Sequence, residues 1–487
     1  MHISIVVKVI GILLMIFSLL GNLPPLMVSL IYNDGVAPAF LLSSLLIFVV
    51  GFLLWAVTAR QKKELSNRDG FLVVTMFWAV LGTAGCLPFL FSSSIELSLT
   101  DAVFESVSGL TTTGATVISG LDDLPKSILF YRQLLQWMGG MGIIVLALAL
   151  LPMLGIGGMQ LYRAESPGPI KDNKLVPRLA ETAKSLWYIY LSLTLVCALA
   201  YWIAGMNLFD AVSHSFSTIA IGGFSTHDAS LGYFDNPMIE LVAVLFMFIA
   251  GINFALHFIT WNKKQHTGIR HYFQDSEFLF YGFILASVSI VTVSVLYFSG
   301  TYTNVGDALV KGLFQVVSFA TTTGFTTADF NSWPLFLPYV LLYAAIIGAC
   351  AGSTGGGMKV IRILLIFKQG IREVQRLIHP RAVIPIKLGK KVMSDRVIDS
   401  VWGFFAVYVM AFMVMLLALL ATGLDIITAF SAVGACINNL GPGLDNVAQT
   451  YEALPGMAKW ILCFAMLLGR LEVFTLLVLF TPMFWKR

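Results

Sequence analysis

The chain carries little charge. Only 11% of its 487 residues are Asp, Glu, Lys or Arg, whereas a typical soluble domain has about 25%. No segment is long and polar enough to form a separate soluble domain. The five cysteines are scattered, mostly inside apolar runs, and form no C-x-x-C pair, which argues against a disulfide framework and a zinc site. A net charge of +4 gives no reason to expect a nucleic-acid partner.

Hydrophobic residues are abundant and make up 58% of the chain. They form apolar runs of about twenty residues, which predict transmembrane helices. Four segments hold 22 of the 30 Lys and Arg residues, namely 60–68, 162–184, 262–276 and 359–396, and the polar segments between them are mostly acidic. The positive-inside rule places the basic loops in the cytoplasm. The sequence therefore predicts a multi-pass protein of the inner (plasma) membrane.

One arrangement of segments occurs four times. A long apolar run ends near an Asp, and a short semi-apolar stretch, a glycine-containing string and a second long apolar run follow. The four Asp residues are Asp101, Asp210, Asp307 and Asp425, and the returning runs cover about 127–153, 237–261, 334–369 and 457–484. An internal repeat of this kind decides the fold. We predict repeats at 69–161, 185–262, 277–370 and 394–487, after an N-terminal transmembrane hairpin at 1–60.

The glycine-containing strings are TTTG at 111–114 and 321–324, AIGG at 220–223 and NNLG at 438–441. The stretch before each string is too short to cross a bilayer, because ten helical residues rise about 15 Å of a roughly 30 Å hydrocarbon core. Each stretch must re-enter from one side, and irregular backbone at that depth must be buried in protein or line water. The expected fold is an all-α polytopic membrane protein, with four parallel repeats around a pseudo-fourfold central pore plus two N-terminal transmembrane helices.

The composition of the strings fits a monovalent cation. They contain no acidic and no basic residue, which argues against a divalent-cation filter and an anion pore. Rings of backbone carbonyls replace the hydration shell of a bare cation, and glycine permits the required backbone angles. The predicted filter glycines are Gly114, Gly223, Gly324 and Gly441. By register, the carbonyls of Thr111, Thr112, Ala220, Ile221, Thr321, Thr322, Asn438 and Asn439 are the predicted ion ligands.

Several longer motifs contain these strings, including FESVSGLTTTGAT, HSFSTIAIGGFSTHDASLGYFD and GACAGSTGGGMKVIRILLIFKQG. With FYRQLLQWMGGMGIIVLA and the GRLEVFTLLVLFTP tail, they make the chain similar to the Trk/Ktr/HKT superfamily of potassium transporters, in particular its bacterial TrkH/TrkG branch. The resemblance covers essentially the whole chain. It implies potassium as the transported ion, a homodimer with one pore in each protomer, and a cytoplasmic TrkA-type ring that binds NAD or ATP. In plant relatives a Ser at the first filter position accompanies sodium transport, and here that position is Gly114.

The third returning run is interrupted by GACAGSTGGGMK at 348–359, in which five glycines exclude a regular helix. The spacing does not match a phosphate-binding loop, while close helix packing through Gly348 and Gly352 remains an alternative. The resemblance implies an intramembrane loop that closes the pore below the filter, with Ser353 and Thr354 facing the ion path. The predicted gate comprises Gly348, Gly352, Ser353, Thr354, Gly355, Gly356, Gly357 and Arg470.

Arg470 lies near the middle of the last apolar run, where a charge costs at least about 2.5–3.5 kcal/mol on insertion scales. It either belongs to an ion pair within the bundle or faces the pore and raises the barrier to cations. Glu105, His214 and Gln315 each precede a filter glycine by nine residues and are predicted to support the strings. The function that we expect is potassium uptake through a gated, channel-like pore, and a proton- or sodium-coupled symporter with the same filter is the alternative. We find no catalytic constellation and expect neither an enzyme nor a covalently bound cofactor.

Overall fold

The computed structural model describes residues 2–60, 67–145, 175–261, 268–334, 336–389 and 391–485. These residues are mostly helical, as predicted. The described strands form one small antiparallel hairpin, Lys387–Leu388 with Lys391–Val392. Six described helices are long and apolar enough to cross a bilayer, and a bent helix pair counts as a seventh if it is taken as one span. The basic segments at 60–68, 162–184 and 262–276 lie partly or largely outside the described residues.

The N-terminal hairpin pairs Ile3–Tyr32 with Ala37–Thr58. The two helices cross closely at Gly11 and Gly51. A Cβ atom built on either glycine would lie 2.7 Å from the carbonyl oxygen of the other. Small residues allow this backbone approach in a membrane, where packing rather than hydrophobic burial drives helix association.

The outgoing helices lead to the outer side of each predicted repeat. They are Asn67–Ala84 with Leu87–Phe91, Leu175–Ile203, Ser276–Phe298 and Asp395–Leu420, and the short helix Arg270–Gln274 precedes the third. Outer-loop 3-10 turns follow the strings at Leu121–Asp123, Ser230–Phe234, Phe330–Ser332 and Asp445–Val447. One such turn therefore stands at the same point of each repeat.

The semi-apolar stretches form four short helices, which we call pore helices 1 to 4. They span Leu99–Leu110, Leu208–Ala220, Val305–Ala320 and Ile426–Ile437. A side chain caps the N-terminus of each one, from Ser98, Asn207, Asn304 and Asp425 respectively. The Asp that recurs in the sequence stands in the first turn of pore helices 1 to 3 and is itself the cap of pore helix 4. An acidic residue there is favoured by the helix dipole.

Within the described residues, three of the four return runs are divided into two helices. The first is Lys126–Val145, and the others are Pro237–Ala250 with Phe254–Trp261, Leu337–Ile347 with Val360–Ile378, and Gly456–Arg470 with Phe474–Leu477. The 3-10 turn Val478–Phe480 and the short helix Pro482–Trp485 end the described chain. The break at 348–359 was predicted, whereas the breaks inside the apolar runs at 237–261 and 457–484 were not.

Local backbone geometry accounts for the two unexpected breaks. The second return helix bends by 89° between its two parts, and the side chain of Asn253 accepts a hydrogen bond from Ala255 N–H at 2.8 Å, which caps the new helix. In the fourth return helix, Glu472 and Val473 both adopt φ of +53°. Non-glycine residues rarely take this conformation. The sequence around Glu472 therefore gave no reason to predict a break there.

Candidate functional site

The four pore helices end in the same hydrogen-bonded motif. Its left-handed residue stands two places before each predicted filter glycine and is Thr112, Ile221, Thr322 or Asn439, with φ between 51° and 66°. The N–H of the next residue donates to the carbonyl five places back at 2.8–2.9 Å in all four repeats. This is the Schellman helix end, usually built on glycine. A β-branched Ile or Thr at this position is strained, and such strain is characteristic of functional sites.

The four predicted filter glycines also have positive φ, from 80° to 94°. A Cβ atom added to Gly114 would meet the carbonyl oxygen of Gly222, and one on Gly223 would meet that of Thr323. Gly324 faces the carbonyl oxygen of Leu440 in the same way, and Gly441 faces that of Thr113 at 2.8 Å. Each string therefore contacts the string of the next repeat, and the fourth contacts the first. The four strings form a closed ring in chain order.

A cavity of about 320 Å³ lies against this ring. All four glycines line it, together with outer-loop residues of every repeat, including His227, Asp228 and Asp329. Two carboxylates in a recess attract cations by their field. The cavity gives the ring an outer vestibule.

The threonine side chains of the two TTTG strings are already hydrogen-bonded. Thr111 Oγ1 donates to Val107 O at 2.7 Å and shares a 2.8 Å hydrogen bond with the hydroxyl of Thr113. In the third repeat, Thr321 and Thr323 repeat the arrangement, with a 2.7 Å bond between their hydroxyls. These hydroxyl pairs brace the strings and leave the backbone carbonyls as the oxygens available to an ion.

The residues predicted to support the strings have different surroundings. Glu105 is fully buried, accepts Val117 N–H at 2.9 Å and forms a 2.8 Å ion pair with the equally buried Arg132. His214 Nε2 lies 2.9 Å from Ser225 Oγ, just after the second string. Gln315 is buried, and both its amide atoms lack a partner among the described residues. Glu105 and His214 therefore both contact the extended segment that follows their string.

The glycine-rich segment 348–359 lies directly beneath the ring. Thr354 Oγ1 donates to Ile219 O at 3.0 Å, Gly356 N–H donates to Thr322 Oγ1 at 2.6 Å, and Gly357 N–H donates to Asn438 O at 3.1 Å. These bonds reach the second, third and fourth pore-helix ends in turn. Ser353 Oγ instead donates to Cys350 O at 2.6 Å and closes a turn within the segment.

The same segment is attached to its neighbours on the other side. Cys350 N–H donates to Gly251 O and Phe254 N–H donates to Gly352 O, both at 3.0 Å, so the breaks of the second and third return helices are joined by backbone bonds. The side chain of Glu277, at the start of the third outgoing helix, accepts Ala351 N–H at 2.7 Å. The glycine-rich segment therefore has fixed partners at both faces.

Arg470 completes the contacts beneath the ring. Its guanidinium donates to Thr112 Oγ1, in the first string, and to Thr354 O at 3.4 Å. It forms no salt bridge within the described residues, because Glu472 pairs instead with Arg362 at 2.6 Å. Arg470 and the glycine-rich segment together contact all four pore-helix ends.

His227 connects two repeats at the wall of the vestibule. Its Nδ1 lies 2.5 Å from Asp122 of the first outer loop, and its Nε2 lies 3.3 Å from Asp210. Its ring stacks on Tyr233 at 3.5 Å. Partial burial favours the neutral ring, but hydrogen bonds and charge from Asp210 and Asp122 outweigh burial and raise the pKa of His227.

Residues 37–487 match the family model described as "TrkH: Cation transport protein". The chain belongs to the TrkH family of cation transport proteins. It is 56% identical over 481 residues to the Trk system potassium uptake protein TrkH of Vibrio parahaemolyticus, covering 99% of both chains. It is 54% identical to the protein of that name from Escherichia coli and 41% identical to the TrkG protein of that organism, in each case covering at least 99% of both chains.

A solved structure agrees over the whole chain. The crystal structure of the potassium transporter TrkH from Vibrio parahaemolyticus matches with a TM-score of 0.92 and 53% sequence identity, covering 100% of both chains. This TrkH-family chain is therefore a multi-pass inner-membrane transport protein and not an enzyme. The predicted family and the predicted helical membrane fold are both confirmed.

The structure brings all the predicted site residues of this TrkH-family chain into one region. The predicted ligand residues and glycines form the ring, while the glycine-rich segment and Arg470 lie beneath it. Their roles in binding and gating stay predictions. Two residues of this region were not predicted, namely Gln136, which contacts the ring, and Glu277, which contacts the segment. Both lie on long helices, where their spacing gives no sign of these contacts.

Proposed function

We propose that this TrkH-family protein carries potassium into the cell through a potassium-selective, channel-like pore. The closed ring of four strings carries the proposal, because each filter glycine abuts a carbonyl of the next repeat. The names of its relatives, potassium uptake proteins that align over their full lengths, support potassium as the ion.

Backbone carbonyls are the proposed ion ligands. In the first string they are the carbonyls of Thr111 and Thr112, which come directly after the pore helix. The other three strings have carbonyls at the equivalent positions around the ring. The threonine hydroxyls have other partners, so a ring of side-chain ligands is disfavoured. The carbonyl of Asn438 accepts the N–H of Gly357, which links one proposed ligand directly to the segment beneath. Movement of that segment would free this oxygen.

The segment 348–359 and Arg470 are the proposed gate. They lie on the ion path below the ring and contact all four pore-helix ends. A guanidinium group placed there repels a cation that leaves the filter, and among the described residues Glu472 pairs with Arg362 rather than with Arg470. Five glycines give the segment the backbone freedom to withdraw.

A homodimer and a cytoplasmic, TrkA-type NAD- or ATP-binding ring are further parts of the proposal. The relatives' names describe a Trk system, which supports more than one component. The third return helix passes from the gate segment into the basic stretch 359–396, whose small hairpin stands next to the first turn of the third outgoing helix through Gly389 and Ser276. A partner that binds this basic surface could pull on the gate. Nucleotide-dependent flux that needs the added ring protein would support this arrangement, and flux that ignores the ring protein would refute it.

Flux of radioactive rubidium into liposomes containing the purified protein tests the pore. We expect uptake that potassium inhibits and that sodium inhibits weakly. Gly114→Ser and Gly324→Ser should make sodium a stronger competitor. Unchanged competition curves from well-folded variants would refute the assignment of the filter.

Coupled symport is the second candidate, and His227 is the observation that favours it. A histidine side chain can carry a proton, and this one lines the vestibule and contacts two carboxylates. A potassium current whose reversal potential ignores pH and sodium gradients would exclude obligatory coupling. A reversal potential that shifts with the pH gradient would favour the symporter.

A further inference from the structure

The second string lacks the threonine pair that braces the first and third. At the positions of Thr111 and Thr113 it has Ala220 and Gly222, so no hydroxyl bond can form there. Gly222 nevertheless has the same Schellman hydrogen bond, to Ser217 O at 2.8 Å, and its carbonyl oxygen still faces Gly114 in the ring. Some other group must hold this peptide in place.

The side chain of Gln136, from the first return helix, occupies this position. Its Nε2 donates to Gly222 O at 2.6 Å, and its Oε1 accepts Phe224 N–H at 3.0 Å. One carboxamide thus holds the backbone on both sides of Gly223. Gln136 is fully buried. One helical turn earlier, Arg132 Nη1 donates to Ser225 O at 2.9 Å and extends the contact along the strand.

Gln136 and a side chain at position 222 exclude each other. A Cβ atom on Gly222 would lie 2.5 Å from Gln136 Oε1 and 2.9 Å from Nε2. Real Cβ atoms essentially never approach this closely. The second string, which lacks the threonine pair, therefore has the amide of Gln136 beside it, supplied by the first return helix. A different amide contact links two neighbouring strings, since Asn439 Nδ2 of the fourth string donates to Thr113 Oγ1 of the first at 2.9 Å.

We propose that Gln136 is a positioning residue that determines ion selectivity, because its amide fixes the Gly222 carbonyl in the ring in place of the missing threonine pair. The proposal rests on the proposed function of the ring as the potassium filter. Gln136 touches no ion in this role. It acts through the peptide groups on either side of Gly223.

The first test compares Gln136→Leu with wild type in liposome uptake of rubidium, with sodium and potassium as competitors. We expect sodium to compete about tenfold better, the factor associated with leaving one buried peptide group without its partner. Gln136→Met is the second variant, in case the leucine variant fails to fold. It keeps the unbranched length of the side chain but has no N–H to donate to Gly222 O, so selectivity should fall here too.

Gln133 provides the matched control. It lies on the same helix and is equally buried, and its two amide atoms have no hydrogen-bond partner among the described residues. Gln133→Leu should leave the competition curves unchanged. Equal losses in the Gln133 and Gln136 variants would overturn the proposal, because general loss of packing would then explain both. Wild-type selectivity in Gln136→Leu would overturn it as well.

A rescue experiment separates positioning from stability. In the Gln136→Ala background, Ala220→Thr together with Gly222→Thr supplies the hydroxyl pair found in the first string. We expect this triple variant to recover the selectivity that Gln136→Ala loses. If selectivity does not recover, the Gln136 amide does not act in place of the threonine pair. Gly114→Ser, measured in parallel, tests the filter itself. If Gly114→Ser loses selectivity and Gln136→Leu does not, the filter stands and the role of Gln136 fails.

Discussion

A single methyl group on Gly324 is expected to damage ion selectivity. In Gly324→Ala the new Cβ would overlap the carbonyl oxygen of Leu440 and lie 2.7 Å from Pro442 Cδ. Neither neighbour is the free end of a flexible side chain, so the backbone of the ring must shift. The φ of Gly324 is +83°, which an alanine adopts only at a cost.

The size of the effect follows from the backbone strain at Gly324. A left-handed backbone costs a non-glycine residue about 1–2 kcal/mol, and about 1.4 kcal/mol corresponds to tenfold in an equilibrium constant. If relief of this strain displaces the ring, discrimination between potassium and sodium should fall by about tenfold or more. In Gly441→Ala the strain is similar, with φ of +94°, but the nearest carbonyl oxygen is 2.8 Å away. Its loss of selectivity should be smaller than that of Gly324→Ala.

Gly434→Ala is the control for this series. Gly434 lies inside pore helix 4, and its added Cβ would make ordinary contacts of 3.6–3.8 Å with the side chain of Leu342. Competition of sodium with rubidium uptake, measured for the three variants in liposomes, gives the ranking. Equal selectivity in Gly324→Ala and Gly434→Ala would refute the reasoning, provided that both variants elute as folded protein.

Three further results are expected. Arg470→Ala should speed rubidium uptake by removing the positive charge below the ring, whereas Arg470→Lys should stay slow; slower uptake by a folded alanine variant would count against the barrier. Glu105→Ala should destabilise the protein by about 3–5 kcal/mol, because it leaves Arg132 buried without its partner, and an unchanged melting temperature in detergent would contradict this. Since the pKa of His227 is raised above its ordinary 6.5, the contribution of its bonds to Asp122 and Asp210 is full below pH 6.5 and is lost as pH rises through the raised pKa. His227→Gln should therefore make the stability depend less on pH above 6.5. If the variant has the same dependence of stability on pH as the wild type, the contribution of the His227 bonds is refuted.

Much of the architecture could be predicted because membrane insertion imposes strong rules. Loop charge gave the topology, and the spacing of the four strings aligned Gly114, Gly223, Gly324 and Gly441. The structure places these glycines in equivalent backbone conformations. The alignment was possible from sequence because a positive φ beside a neighbouring carbonyl demands glycine, so the residue type itself carries the signal.

Other features depend on contacts that no local pattern records. Ile221 takes a left-handed conformation that its type disfavours, because the helix end and the ring override its preference. The turn at Glu472 has the same character. Gln136 is one of several polar residues on its helix, and only the fold shows that its amide reaches Gly222 while that of Gln133 finds no partner among the described residues.

The closed ring as a potassium filter is the central claim, and ion competition in a purified system tests it most directly. Wild-type protein in liposomes should take up radioactive rubidium down a gradient, with strong inhibition by potassium and weak inhibition by sodium. Gly114→Ser should narrow the difference between the two ions. Equal inhibition of the wild-type protein by sodium and potassium would contradict the account.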